Sequence, residues 1–156
     1  MRVCLAGTFN VIHKGHQLLI DTANKIAGNS GRLFIGITIG RLLDNKQFKI
    51  PYEKRERQLK DCLSDKNITN YEIIPIESEE GLAVDGSYDA IIVSPETESN
   101  ARLINEKRKQ VNKKPLQIIT IPHVLAEDNK PISSTRILNN EIDVDGKIIK
   151  GKKNRN

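Results

Sequence analysis

The feature that most constrains this chain is its alternation of short, almost wholly apolar runs with longer segments of helical pattern. Residues 2–6, 33–39, 71–76, 90–93 and 116–121 carry apolar side chains at nearly every position. Strands covered on both faces read this way, whereas a strand with one wet face alternates apolar and polar. Between these runs, residues 17–27 place Leu18, Leu19, Thr22, Ala23 and Ile26 on one helical face, and helices are also expected over 52–63, after Pro51, and over 97–111. Apolar strands separated by helices form βαβ units and therefore a parallel sheet with helices on both faces. The expectation is an α/β, doubly wound, five-stranded parallel sheet in one domain spanning 1–143, followed by a loosely ordered basic tail over 144–156.

The charge is concentrated at the end of the chain. The net charge is +5, and Lys147, Lys150, Lys152, Lys153 and Arg155 account for all of it, leaving a nearly neutral body. Aromatic residues make up 4% of the chain and none is tryptophan, so the basic residues lack the interleaved stacking platform of single-strand binders. No nucleic-acid partner is expected. No apolar run reaches the length of a membrane span and the first residues lack a signal-peptide pattern, so no membrane partner is expected and the chain is placed in the cytoplasm. Cys4 and Cys62 lie far apart without metal-ligand spacing and read as small buried hydrophobes. Oligomeric state is not legible.

In doubly wound sheets ligands bind beyond the carboxyl ends of the strands, beside the point where strand order reverses. The loop after the first strand runs Gly7-Thr8-Phe9-Asn10-Val11-Ile12-His13-Lys14-Gly15-His16. Gly7 allows close backbone approach, Thr8 supplies a hydroxyl, and Gly15 leaves room for a flat base or a phosphate. His13 and His16, three apart at a helix start, can face one direction where backbone N–H groups and the helix dipole favour an anion. One histidine at a helix start is often only a cap, but two of the chain's three histidines share this window. Zinc would need more ligands than two histidines, and no residue is assigned as a metal ligand. A second phosphate-type loop, Ile132-Ser133-Ser134-Thr135-Arg136, follows the fifth strand, although Ser133 and Ser134 by themselves fit a plain helix cap equally well.

The pattern Gly7-Thr8-Phe9-x-x-x-His13-x-Gly15-His16 resembles the HxGH signature of the nucleotidyltransferases, a Rossmann-like superfamily, and residues 132–136 resemble its ISSTR element. Within it the chain is similar to the archaeal type of phosphopantetheine adenylyltransferase, through Pro51-Tyr52-Glu53-Lys54-Arg55, Val93-Ser94-Pro95-Glu96-Thr97 and Val124-Leu125-Ala126-Glu127-Asp128. The resemblance implies ATP and 4′-phosphopantetheine as substrates, dephospho-CoA and pyrophosphate as products, and Mg²⁺ with the ATP. One departure is visible: the position after Phe9 is often aspartate in this family and is Asn10 here.

On that resemblance, His16 donates to the α-phosphate, while His13 with Ser133, Ser134 and Thr135 holds the β- and γ-phosphates. Arg136 adds charge on the leaving group, and Thr8, beside Gly7, Phe9 and Gly15, touches the acceptor phosphate. A lysine bridges the phosphates; Lys46 and Lys49 both qualify. Asn105 and Arg108, three apart on the third helix, would face the same phosphates. Other acceptors within the superfamily are FMN, nicotinamide mononucleotide or, with CTP, glycerol phosphate. A non-catalytic nucleotide-binding module is the rival of another class.

Overall fold

The computed structural model describes residues 1–78, 80 and 82–150. Five strands, β1 (Arg2–Gly7), β2 (Arg32–Thr38), β3 (Tyr71–Ile76), β4 (Ala90–Val93) and β5 (Gln117–Thr120), form one sheet in the order β3-β2-β1-β4-β5. Every pairing is parallel. Helices α1 (Lys14–Ala27), α2 (Tyr52–Asp65), α3 (Glu98–Gln110) and the short α4 (Ser134–Leu138) connect and follow them. This is the doubly wound α/β architecture, and its order reverses between β1 and β4.

Strand periodicity sorts the apolar residues onto the two faces. Val3, Leu5, Leu33, Ile35, Ile37 and Ile92 pack with Leu19, Ile20 and Ala23 of α1 and Leu59 and Leu63 of α2. The alternate residues Cys4, Phe34, Ile91 and Val93 pack with Ala101 and Ile104 of α3. Successive side chains point to opposite faces, so a run with no polar position fills both cores. Cys4 is buried and its thiol is pushed up to about 12 by desolvation, as an inert core residue should be; Cys62 is only half-buried.

Three expectations change. Helix α1 starts at Lys14, three residues before the expected start at residue 17, because His13 and His16 build its first turn. Residues 144–150 are not loose: Ile142 bridges Ile148 in antiparallel register, Asp143 N–H donates to the Lys147 carbonyl (2.9 Å) and Ile149 N–H to the Glu141 carbonyl (3.1 Å). This C-terminal hairpin covers a third small core of Ala126, Ile132 and fully buried Ile142, beneath the Ser133 loop. Residues 151–156, which carry Lys152, Lys153 and Arg155, lie outside the described residues.

The third change concerns Asn105 and Arg108. Arg108 is 3% exposed and donates to the carbonyls of Lys114 (2.7 Å), Ala83 (2.8 Å) and Gly86 (2.8 Å), while Asn105 exchanges two hydrogen bonds with the backbone of Leu116. Those partners precede β4 and β5, at the amino end of the sheet and away from the loops after the strands. Both residues tie connecting loops to α3 and do not reach the phosphate loops.

Candidate active site

The site forms where β1 and β2 end. Arg55, on the buried face of α2 one helical step before Leu59 and Leu63, is 1% exposed. Its guanidinium donates to the carbonyls of Ile50 (2.8 Å), Thr8 (3.0 Å) and Thr38 (2.8 Å), fixing both strand ends to the helix. Thr38 Oγ1 in turn donates to Thr8 Oγ1 at 2.9 Å, which leaves the Thr8 proton for a ligand. Sequence reasoning missed both residues. The available signals were a charged residue continuing the i, i+4 stripe of Leu59 and Leu63, and a hydroxyl ending an apolar strand.

The two glycines serve the chain's own rings. A Cβ on Gly7 would meet the Phe9 ring at 3.1 Å, and one on Gly15 would meet the His13 imidazole at 2.8 Å. At the Cβ position of each glycine the neighbour is thus a ring of the chain itself, Phe9 at Gly7 and His13 at Gly15. Phe9 is 1% exposed with a left-handed backbone, φ 55°, an unusual state for an aromatic residue. Its ring lies 4.9 Å from that of His16.

His13 is the N-cap of α1. Its Nδ1 accepts from Gly15 N–H (3.0 Å), and His16 Nδ1 accepts from His13 N–H (3.4 Å), a capping box made from two imidazoles stacked 3.9 Å apart. Desolvation lowers His13 to about 4, and desolvation with the neighbouring His13 lowers His16 to about 3, from 6.5. Both rings are therefore neutral near pH 7. With each Nδ1 committed as an acceptor, the proton sits on each Nε2. The result is two uncharged N–H donors at a helix end of positive potential.

The late loop reaches the first one through Ser134, whose hydroxyl accepts from Val11 N–H (3.2 Å) and donates to the Val11 carbonyl (3.0 Å). Ser133 caps α4 by accepting from Arg136 N–H at 3.2 Å, and Thr135 is exposed. Arg136 is held within the chain by two carboxylates. Its guanidinium holds the Asp128 carboxylate and lies 3.4 Å from Glu141, which anchors the loop to the hairpin and keeps Asp128 below the usual carboxylate range. Lys46 and Lys49 are both exposed, and among the described residues neither makes an ion pair. Asn10 is 9% exposed and donates to the Phe48 carbonyl at 3.3 Å, while its Oδ1 has no partner.

Residues 4–140 match the model of the cytidylyltransferase-like family. A phosphopantetheine adenylyltransferase of Methanosarcina acetivorans is 40% identical over 94% of this chain and 95% of its own length. One from Archaeoglobus fulgidus is 38% identical over 96% and 100%. The chain belongs to the phosphopantetheine adenylyltransferase family of archaeal type. It is a nucleotidyltransferase. A solved structure from Archaeoglobus fulgidus, described as a protein of unknown function, superimposes with a TM-score of 0.71 at 33% identity, covering 78% of this chain and 89% of that one. Among the described residues no helix is long and apolar enough to cross a membrane.

Proposed function

We propose that this chain transfers the adenylyl group of ATP to 4′-phosphopantetheine, giving dephospho-CoA and pyrophosphate, by direct in-line attack. The family supports the substrates, and one observation carries the chemistry: His13 and His16 stack at the start of α1 with both Nδ1 atoms accepting backbone N–H groups, and with burial disfavouring the cation each ring is left an Nε2–H to donate. A phosphate monoester has its second pKa at about 6, so the acceptor is already an anionic nucleophile near pH 7 and needs no general base. One of its oxygens bonds to the α-phosphorus as the bond from that phosphorus to the bridging oxygen of pyrophosphate breaks.

The protein's task is to hold two anions in line and stabilise the charge growing on the α-phosphoryl oxygens. His16 donates there, His13 donates to the departing phosphates, and Thr8 orients the acceptor phosphate. Neutral donors suit this task because they cost less to desolvate than charged ones. A lysine from residues 44–50 bridges the two phosphates. Arg136 acts through the loop it anchors. Among the described residues no three of His, Cys, Asp or Glu stand close enough to hold a metal. The first loop offers donors, and among the buried side-chain atoms of the described residues Asn10 Oδ1 is an acceptor without a partner. That set suits Mg²⁺ carried on the nucleotide phosphates, where it would neutralise their charge.

Pyrophosphate release is the test, with ATP or CTP against phosphopantetheine, FMN, nicotinamide mononucleotide and glycerol phosphate. Release with ATP and phosphopantetheine is expected. Release with another acceptor alone overturns the acceptor, and release only with CTP overturns the donor.

A further inference from the structure

A set of contacts around the site has no part in the steps above. Asn10 Nδ2 donates to the Phe48 carbonyl at 3.3 Å. The adjacent Gln47 exchanges two amide hydrogen bonds with Asn139 at the end of α4, at 2.9 and 3.3 Å. Ser134, at the start of α4, exchanges two more with Val11, which neighbours Asn10. The contacts close a ring from the first loop to residues 47–48, across to α4, and back to Val11. Residues 47–48 are the two positions between Lys46 and Lys49.

We propose that the Asn10–Phe48 and Gln47–Asn139 contacts form a clasp that positions the lysine-bearing loop over the phosphate site, with Asn10 as the positioning residue at its inner end. Fixing the backbone on either side of the lysines before ligand arrives removes part of the ordering cost that binding would otherwise meet. The inner contact requires an amide. A carboxylate at position 10 has no proton for the Phe48 carbonyl and would set two acceptors against each other. The amide also leaves Oδ1 as a buried acceptor without a donor, a state that favours arrival of one from the loop or the ligand.

Only the turnover arm of the test rests on the adenylyl-transfer reading; nucleotide binding tests the clasp alone. Calorimetric binding of a non-hydrolysable ATP analogue, KM, kcat and thermal midpoint would be measured for Gln47→Ala, Asn139→Ala, the double variant and Asn10→Asp. Gln47 is exposed and Asn139 half-buried, so the first three should fold as the parent does. Each single clasp variant is expected to weaken analogue binding roughly five-fold at an unchanged midpoint, as for loss of about one net hydrogen bond. The double variant should be no weaker than either single one, and Asn10→Asp should raise the KM for ATP more than it lowers kcat. Single effects that multiply in the double variant overturn the clasp, as does parental binding in all of them. If the parent binds the analogue but releases no pyrophosphate with phosphopantetheine, the adenylyl-transfer reading fails while the binding series still decides the clasp.

Discussion

At the residue scale, the proposed chemistry rests on two histidines whose position determines their charge. A solvent-exposed imidazole is half protonated near 6.5; His13 and His16 stay neutral down to about 4 and about 3 because burial disfavours the cation. Two consequences are measurable. Neither ring should titrate between pH 5 and 8 by NMR, so the acid limb of kcat/KM should fall at about 6 and belong to the acceptor phosphate; an imidazole titrating near 6.5 would contradict this. Their folded pKa values are depressed, so their contribution to stability is full above 6.5 and is lost as pH falls from 6.5 toward about 4 and then about 3. Urea midpoints of the parent should therefore drop from pH 7 to pH 4.5, and less so in a His13→Gln variant. For the chemistry, His16→Ala should lower kcat by a factor of about a hundred or more with the fold intact, the usual loss for a transition-state donor. Near-normal turnover in the folded variant would take His16 out of the mechanism.

At the element scale, helices carry the polar residues whose roles pattern alone misassigns. Asn105 and Arg108 are three apart on α3, a spacing equally suited to a ligand or to the loops beside the helix. The structure shows the second use, with Arg108 buried against backbone carbonyls at the amino end of the sheet. Arg108→Met should therefore cost roughly 2–4 kcal/mol of stability, since several carbonyls lose their only charged donor. At a temperature where it remains folded, KM for ATP should be near the parental value. A raised KM without a lower thermal midpoint would return Arg108 to the phosphates. Arg55 shows the converse. It occupies the apolar stripe of α2, yet it orders the ends of β1 and β2 on which Thr8 stands.

At the scale of the whole molecule, the late loop is held from both sides. Ser134 joins it to the first loop, and the C-terminal hairpin supports it from below. Gly146, with φ 86°, accepts from Glu127 N–H at 2.8 Å, and a Cβ there would meet Ile132 at 2.8 Å, so the hairpin tip sits against the residue preceding Ser133. Ending the chain at Asp143 should therefore lower stability by about 1–3 kcal/mol, a few degrees in Tm for a domain of this size, and raise the KM for ATP. Ending it at Lys150 tests the described hairpin by itself and should preserve both. If the chain ended at Asp143 kept parental Tm and KM, the hairpin would be dispensable.

The five strands, their parallel pairing and the common placement of His13 and His16 at the start of α1 were all legible in the sequence. Each follows from local periodicity or from spacing within one turn, and such signals survive in one dimension. The start of α1 at Lys14 was not, because the cap is an imidazole and apolar pattern begins only at Leu18. The purposes of Gly7 and Gly15, the burial of Arg55, the capture of Arg136 by Asp128 and Glu141, the removal of Asn105 and Arg108 from the site, and the hairpin over 141–149 were decided by tertiary structure. In each case the deciding partner lies elsewhere along the fold or is set by side-chain packing. A polar group's role is fixed by which atoms satisfy it, and residue type and spacing do not carry that information.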